Sequence, residues 1–293
     1  MAVNLDALDF EAITRREANR SRGNLIVFTV SALVTLIWLV PFYYLLVSVF
    51  KSTAEYGSGN PLSLPHSIAP FADNVVKVWT DAKLGAGMFN SATYGLIGAS
   101  VAVFVAAMAA FGLTRFDFSG KMFWFMLIFA GTIFPFQMYL IPLFFTFQKV
   151  GILNTRFGMI LFYTAICIPF PVLVLKNFMS QLNKEMDEAA RMDGASDLRV
   201  FLSIVLPNCR GTMLALFLLQ FTWIWNDLLF STVLGNTPEI RSVMNALQVF
   251  QGSYSSSGPN IVLTGSLLAS IPSVLLFATL RKHFMAGLSI STH

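Results

Sequence analysis

The sequence predicts an all-α, polytopic membrane protein with six transmembrane helices. Of its 293 residues, 56% are hydrophobic and only 12% are charged, and the mean hydropathy of +0.68 lies outside the range of soluble domains. Six apolar runs are long enough to cross a bilayer core, which takes about 20 helical residues. The alternation of polar and apolar residues that marks barrel strands is missing, so helices must satisfy the backbone inside the membrane.

The predicted spans leave almost all charged residues in the connections between them. In order, the spans are 25–50, 90–114, 122–147, 157–179, 212–234 and 259–280. Together they form one transmembrane domain, 25–280, between an amino tail, 1–24, and a carboxyl tail, 281–293. The first span is too long for a signal-peptide core and stays as an anchor. No polar connection is long enough for a separate soluble domain.

The 19 basic residues are unevenly distributed across these connections. Most lie in the amino tail, the turn 115–121, the stretch 176–210 and the carboxyl tail, which the positive-inside rule assigns to the cytoplasm. Both termini are cytoplasmic in this interpretation. The connection 51–89 is then outside, where it either meets an external partner or simply caps the bundle. The basic residues are spread too thinly for a nucleic-acid-binding surface.

Small residues and prolines predict a closely packed bundle that is interrupted in places. One face of the second span carries Gly95, Ala99, Ala102, Ala106 and Ala110. Their spacing of three or four residues lets another helix approach closely. Prolines lie inside the third, fourth and sixth spans, where each can break the helical hydrogen-bond ladder. Broken helices are common where a membrane protein lines a cavity.

The connection 180–210 predicts a helix, a turn and a second helix at the inner membrane face. The first helix runs from Leu182 to Met192, and Gly194 supplies a left-handed break. Ser196 caps the second helix, which ends at Pro207. Two interpretations stay open. The unit docks a partner through small residues and a carboxylate, or it is an interfacial amphipathic helix without a partner.

Within this connection, the run EAARMDGAS resembles the EAA signature of the permease subunits of bacterial ABC importers. The matching residues are Glu188, Ala189, Ala190, Asp193, Gly194, Leu206 and Pro207. Together with AAFGLTRFDFSGK at 109–121, the run resembles the carbohydrate-importing branch, similar to the shorter membrane subunit of the maltose importer. The six-span layout fits this family, so the resemblance covers nearly the whole chain.

The resemblance implies a transport subunit that works within a larger complex in the bacterial inner membrane. In that family the EAA segment holds a coupling helix that seats in a groove of the ATP-hydrolysing subunit, and Glu188 would pair with an arginine there. The implied partners are a second, related permease, two ATP-binding subunits that hold ATP and Mg, and an extracytoplasmic solute-binding protein. The glycine-rich tail of many members is matched at Phe284 to Leu288 and not beyond.

Candidates for the translocation path lie in the fifth and third spans. Gln220, Trp223 and Asp227 are spaced by three and four residues, which puts an amide, an indole and a carboxylate on one helical face. Asn226 lies beside them, and Gln137 in the third span is a further candidate. Hydroxyl groups and the apolar face of a sugar ring suit such a lining. Alternatively, Asp227 bonds a neighbouring helix or a partner subunit.

These observations favour a sugar-importing permease and leave alternatives from other classes. The chain has no phosphate-binding loop, so ATP hydrolysis is expected in a separate subunit, and neither a catalytic residue nor a bound cofactor is expected here. The histidines lie apart from cysteines and carboxylates, so no metal site is expected. The alternatives are an ion-coupled secondary transporter or channel that uses Asp227, and an ABC permease for a non-sugar solute such as glycerol phosphate.

Overall fold

The computed structural model describes the backbone of residues 5–250 and 258–289 and the side chains of 24–250 and 258–280. These residues contain helices and no strand, so the all-α prediction is confirmed. The helices are α1 (Leu5–Val49), α2 (Thr53–Ser58), α3 (Pro70–Asp81), α4 (Leu84–Arg115), α5 (Lys121–Ile133), α6 (Leu140–Val150), α7 (Arg156–Cys167), α8 (Pro169–Gln181), α9 (Glu185–Met192), α10 (Asp197–Val200), α11 (Leu206–Asn208), α12 (Arg210–Trp225), α13 (Leu229–Leu234), α14 (Val243–Leu247) and α15 (Pro259–Ser289). Single 3₁₀ turns occupy Phe136–Tyr139 and Gln248–Phe250.

Among the described residues, three continuous helices are long and apolar enough to cross a membrane. They are Asn24–Val49 within α1, the whole of α4, and Pro259–Leu280 within α15. Three further helix pairs qualify as bent spans, and counting each as one gives up to six. Apart from Asn24, the amino tail 1–24 and the carboxyl tail 281–293 fall outside the residues with described side chains, and their role stays a prediction.

Prolines account for two of the bends. Lys121–Ile133 and Phe136–Val150 meet at 97° around Pro135, and α7 meets α8 at 41° where Pro169 begins the second helix. Proline has no backbone N–H and its ring clashes with the preceding turn, so the helical ladder cannot continue through it. The sequence therefore predicts these two interruptions correctly, whereas Pro272 in the sixth span lies inside the continuous helix α15.

The predicted fifth span, 212–234, is two helices rather than one. Helix α12 already ends at Trp225, and α13 begins at Leu229. No proline lies at this break. Instead, the carboxylate of Asp227 accepts hydrogen bonds from the backbone N–H groups of Phe230 and Ser231, as a capping residue does at a helix start. The capping carboxylate favours a new helix over continuation of the old one.

Helix α4 lies at the centre of the bundle and packs against α7, α8, α12 and α14. The predicted small-residue stripe is buried along this helix, since Ala99, Ala102, Ala106 and Ala110 have no exposed surface. The closest approach is at Gly95, where an added Cβ would lie 2.7 Å from Cδ2 of Phe221 in α12. The stripe therefore allows α12 to pack closely against α4.

The substitution Gly95→Leu should destabilise the bundle because the new side chain has to displace the buried ring of Phe221. Overpacking of this kind costs about 1 to 3 kcal/mol in the free energy of unfolding. Gly112 lies on the same helix, and a Cβ added there would meet no neighbour within 4 Å, so Gly112→Leu is the matched control. Thermal unfolding in detergent measures both, and equal midpoints for the two variants would contradict the packing at Gly95.

The connection 51–89 is folded against the bundle and contains the helices α2 and α3. Asn74 of α3 is buried and its amide donates to the carbonyl oxygens of Val49 and Lys51, both at 3.0 Å. Asn260 at the start of α15 donates to the carbonyl oxygen of Lys51 as well, at 3.0 Å. These bonds satisfy the backbone where α1 ends, which fits the capping interpretation.

Candidate functional site

The EAA segment, residues 180–210, forms the predicted helix, turn and helix with two changes. Its first helix begins at Glu185 rather than Leu182, because Leu182 adopts an extended conformation that ends α8. Gly194 has a φ of +82°, the left-handed conformation predicted for it. Ser196 caps the second helix by accepting a hydrogen bond from the backbone N–H of Arg199.

The second helix of the EAA segment continues past Pro207, where the sequence predicts its end. A π-helical turn occupies Phe201–Val205, and α11 then runs to Asn208 before the chain bends by 75° into α12. Pro207 has no backbone N–H to donate to the preceding turn, and the irregular π-helical turn lies just before it. The EAA segment is thus helical almost to the first residue of the next membrane helix.

The residues that match the EAA signature form an accessible surface on this segment. Glu188, Ala189, Asp193, Gly194 and Pro207 are exposed, and Ala190 and Leu206 are half-buried. Met192 at the end of α9 is 88% exposed. A carboxylate surrounded by small and apolar side chains at the surface suits a partner that supplies a cation and a groove.

A buried ion pair fixes this surface to the membrane helices. Nε of Arg115, the last residue of α4, lies 2.5 Å from Oδ2 of Asp187 in α9, and the two side chains are 2% and 3% exposed. The guanidinium also donates to the carbonyl oxygens of Met179 at 3.0 Å and Leu182 at 3.4 Å. Arg115 therefore connects α4, the end of α8 and α9 at one point.

Sequence reasoning missed this connection. From the sequence, Arg115 counts only as one of the basic residues that set orientation, and Asp187 lies unnoticed beside the more conspicuous Glu188. One signal is available, because adjacent residues point about 100° apart on a helix. Asp187 and Glu188 therefore cannot both face a docking partner. With Glu188 outside, Asp187 faces the bundle and needs a buried cation.

The predicted path residues gather around two adjoining cavities between α12 and the turn after Pro135. Gln137, Trp223, Asn226 and Asp227 all line the larger one, of about 740 Å³. Gln220 lines the smaller one, of about 420 Å³. Both cavities share Phe136, Leu219 and Trp223. The structure therefore brings all five sequence-predicted path residues into one continuous region.

Asp227 has close protein partners as well as a place in the cavity wall. Its Oδ2 accepts a hydrogen bond from the hydroxyl of Tyr163 in α7 at 2.7 Å and from the N–H of Ser231 at 3.0 Å. Its Oδ1 accepts from the N–H of Phe230 at 3.3 Å. Tyr163 is not among the predicted residues, and a lone tyrosine in an apolar run carries no sequence signal. The bond to α7 agrees with the helix-bonding alternative for Asp227.

Aromatic side chains dominate the wall beside this carboxylate. The ring of Trp223 lies 5.7 Å from that of Phe136, 6.4 Å from that of Tyr163 and 6.5 Å from that of Phe230, measured between centroids. The half-buried indole and the buried amide of Gln220 lie on the same side of α12. The arrangement offers a sugar both a flat apolar surface and hydrogen-bonding groups.

Comparison with known proteins identifies the group to which this chain is related. Residues 102–289 match the sequence model of the family described as binding-protein-dependent transport system inner membrane component. The chain belongs to this family. It is therefore a membrane-spanning permease subunit of an ABC importer, a transport subunit without catalytic activity of its own. Such permeases lie in the inner membrane and work with ATPase subunits and a solute-binding protein.

Two relatives show how far the similarity of this permease extends. It is 34% identical over 285 residues to the diacetylchitobiose uptake system permease protein NgcG of Streptomyces coelicolor, covering 95% of this chain and 89% of the relative. It is 29% identical to the melibiose/raffinose/stachyose import permease protein MelC of Bacillus subtilis, covering 93% of this chain and 97% of the relative.

The fold of the permease also occurs in a solved structure. A chain of a bacterial ABC transporter involved in the import of the acidic polysaccharide alginate superposes with a TM-score of 0.77 at 22% sequence identity. The match covers 91% of this chain and 98% of that chain. The bent helix pairs of the permease thus belong to a fold that ABC importers use.

Proposed function

We propose that this permease forms half of the translocation pathway of an ATP-driven carbohydrate importer. The other half is a second, related permease, and two ATP-binding subunits hold ATP and Mg on the cytoplasmic side, where both termini lie. The solute-binding protein delivers sugar from the outside. The observation that carries the proposal is the exposed EAA surface on α9, which the buried pair of Arg115 and Asp187 ties to α4.

The geometry supports a mechanical role for α9 in coupling. Closure of the ATP-binding subunits moves the groove in which Glu188 is seated, and Ala189 and Ala190 allow close approach to the groove wall. Asp193 and Gly194 form the turn after α9, while Leu206 and Pro207 carry the second helix towards α12. Movement of the EAA segment therefore reaches both α4 and α12 and turns the cavity outward.

A carbohydrate is the solute class that fits the cavity and the relatives together. The names of NgcG and MelC concern oligosaccharides, and those two proteins resemble this permease over nearly their whole length. The cavity residues Gln137, Gln220, Trp223 and Asn226 offer amides and an indole.

The described linings of these two cavities contain no basic side chain, which disfavours the glycerol phosphate alternative. An ion-coupled carrier is disfavoured because Asp227 already accepts three hydrogen bonds.

The experiment that tests the proposal is uptake of radiolabelled oligosaccharide into liposomes. The complete transporter should take up sugar only with binding protein and ATP present, with hydrolysis stimulated by sugar-loaded binding protein. The permease alone, reconstituted at the same density, serves as the control and should move no solute. Uptake by the permease alone along an ion gradient would refute the ATP-driven mechanism.

Asparagine at Asp227 should reduce sugar uptake while the complex still assembles. With its oxygen towards Tyr163 and the backbone N–H of Ser231, the amide keeps both of these bonds, but it loses the charge and presents an N–H₂ group to the backbone N–H of Phe230. The break between α12 and α13 therefore changes shape at the cavity wall. We expect a loss of about tenfold in uptake rate, near 1.4 kcal/mol. Initial uptake rates and copurification of the ATP-binding subunits measure the two effects. If transport kinetics are unaltered, Asp227 only joins neighbouring helices and has no role in the translocation path.

A further inference from the structure

A third cavity lies at the end of the bundle that carries the EAA segment. It has a volume of about 420 Å³ and is formed between the ends of α4, α5 and α8. Its lining residues are Leu113, Thr114, Lys121, Met122, Phe125, Lys176, Ser180 and Lys184. Three lysines, one serine and one threonine therefore line one space together with three apolar residues. This group of residues belongs neither to the exposed surface formed by the EAA signature nor to the two cavities beside α12.

The positive charge of this lysine cavity is largely uncompensated within the described residues. Nζ of Lys176 lies 4.3 Å from the ring centroid of Phe125, a cation–π contact that leaves the charge in place. Nζ of Lys121 donates to the carbonyl oxygen of Phe116 at 3.1 Å and lies 3.6 Å from a carboxylate oxygen of the fully exposed Asp117. Lys184 has neither an ion pair nor a side-chain hydrogen bond there. Like charges gathered beside a membrane favour a bound anion.

The apolar part of the wall indicates where this anion comes from. Helix α5 has no buried residue among its 13, and Met122, Phe123 and Trp124 in its first turn are each more than half exposed. In a membrane-spanning helix, such a face contacts acyl chains. A headgroup anion held by the lysines would place its chains along α5, whereas a soluble anion makes no use of this face.

We propose that the lysine cavity binds the phosphate group of an anionic phospholipid, with the acyl chains lying along the exposed face of α5. Basic pockets between transmembrane helices on the cytoplasmic side bind anionic headgroups in this way. The ammonium groups of the three lysines are the donors to the phosphate oxygens, because the hydroxyls of Ser180 and Thr114 already donate to backbone carbonyl oxygens of their own helices. Because Lys184 immediately precedes α9, the bound lipid also braces the start of the EAA segment.

Native mass spectrometry of the complete transporter, purified from membranes that contain phosphatidylglycerol and phosphatidylcholine, tests this site. The wild-type complex should retain phosphatidylglycerol. The triple variant Lys121→Gln, Lys176→Gln and Lys184→Gln should retain at least tenfold less. The matched control is Lys77→Gln, Lys83→Gln and Lys149→Gln, which removes the same charge from exposed positions elsewhere and should retain the wild-type amount.

Two further arms separate the possible outcomes. Replacing the three cavity lysines by arginine preserves their charge, so retention should return even where the glutamine variant assembles poorly. Inorganic phosphate at millimolar concentration should not displace the lipid, because it lacks chains to contact α5. Equal retention by the glutamine variant and the wild type would overturn the site. Displacement of the lipid by inorganic phosphate would show that the headgroup alone is bound and would overturn the contact of the acyl chains with α5.

The result is independent of the sugar-import proposal. Lipid retention is measured without nucleotide or sugar, so a transporter that fails to import oligosaccharide still reports on the cavity. Conversely, a wild-type transporter that imports sugar but retains no phosphatidylglycerol removes the lipid site and leaves the proposed function untouched. If the ATP-binding subunits fill the cavity instead, the complete transporter retains no phosphatidylglycerol, and the proposal is wrong.

Discussion

The substitution Glu188→Lys should abolish sugar-stimulated ATP hydrolysis, while the permease still folds and inserts into the membrane. The side chain is exposed on α9, so the substitution changes the free energy of unfolding by at most about 0.5 kcal/mol. At the interface, however, a charge-assisted hydrogen bond worth about 1.5 to 3 kcal/mol becomes a repulsion between two cations. We therefore expect at least a tenfold loss of stimulated hydrolysis in the reconstituted transporter.

The control for this prediction lies one turn earlier on the same helix. Glu185 is also exposed and acidic, and its contacts are with Asn183 rather than with the EAA surface. Glu185→Lys makes the same change of charge and should leave most of the stimulation intact. Normal stimulation in Glu188→Lys, or an equal loss in both variants, would rule out a specific docking role for Glu188.

Alanine at Asp187 should destabilise the permease far more than any exposed charge does. The substitution leaves the guanidinium of Arg115 buried without its counterion, and breaking a buried ion pair from one side costs about 3 to 5 kcal/mol. Replacing both partners, as in Arg115→Leu with Asp187→Leu, should recover part of the loss, because no charge is then left buried, although the carbonyl oxygens of Met179 and Leu182 lose their donor. Thermal and denaturant unfolding in detergent measure the single and double variants against the wild type.

An exposed ion pair in the same segment provides the comparison. Nη2 of Arg191 lies 2.9 Å from Oδ1 of Asp197, with side chains 37% and 52% exposed. Asp197→Ala should cost less than about 1 kcal/mol, since water screens such pairs. If Asp187→Ala proves no more costly than Asp197→Ala, the pair of Arg115 and Asp187 is not the link between α9 and α4.

The features predictable from the sequence are those with a local physical signal. Apolar length predicts the membrane helices, Pro135 and Pro169 predict two of the bends, and the spacing of three or four residues after Gly95 predicts the buried stripe. The grouping of Gln220 with Trp223 follows from helical geometry, whereas Asp227 lies past the end of α12, so the prediction of a single helical face was wrong for that residue. Each of these signals acts within a few turns of one helix, so a single sequence is enough to read it.

The features that escaped prediction depend on contacts between distant parts of the chain. Arg115 and Asp187 are separated by two bent helix pairs, and only the packing of α4 against α8 brings them together. The same holds for Tyr163, whose bond to Asp227 crosses from α7 to the break after α12. The division of the fifth span also escaped, because a capping aspartate in an apolar run looks like a lining residue.

The gap between Trp225 and Leu229 gives the cavity main-chain acceptors in addition to the carboxylate of Asp227. Where a helix stops, its last carbonyl groups lose their partners along the axis, and here the stop lies beside the cavity that Asn226 and Leu228 line. Water and sugar hydroxyls can donate to these main-chain oxygens. Alanine scanning leaves these main-chain carbonyl oxygens in place. A variant in which alanine replaces every polar side chain of the cavity would therefore still offer hydrogen-bond acceptors to a hydrated solute.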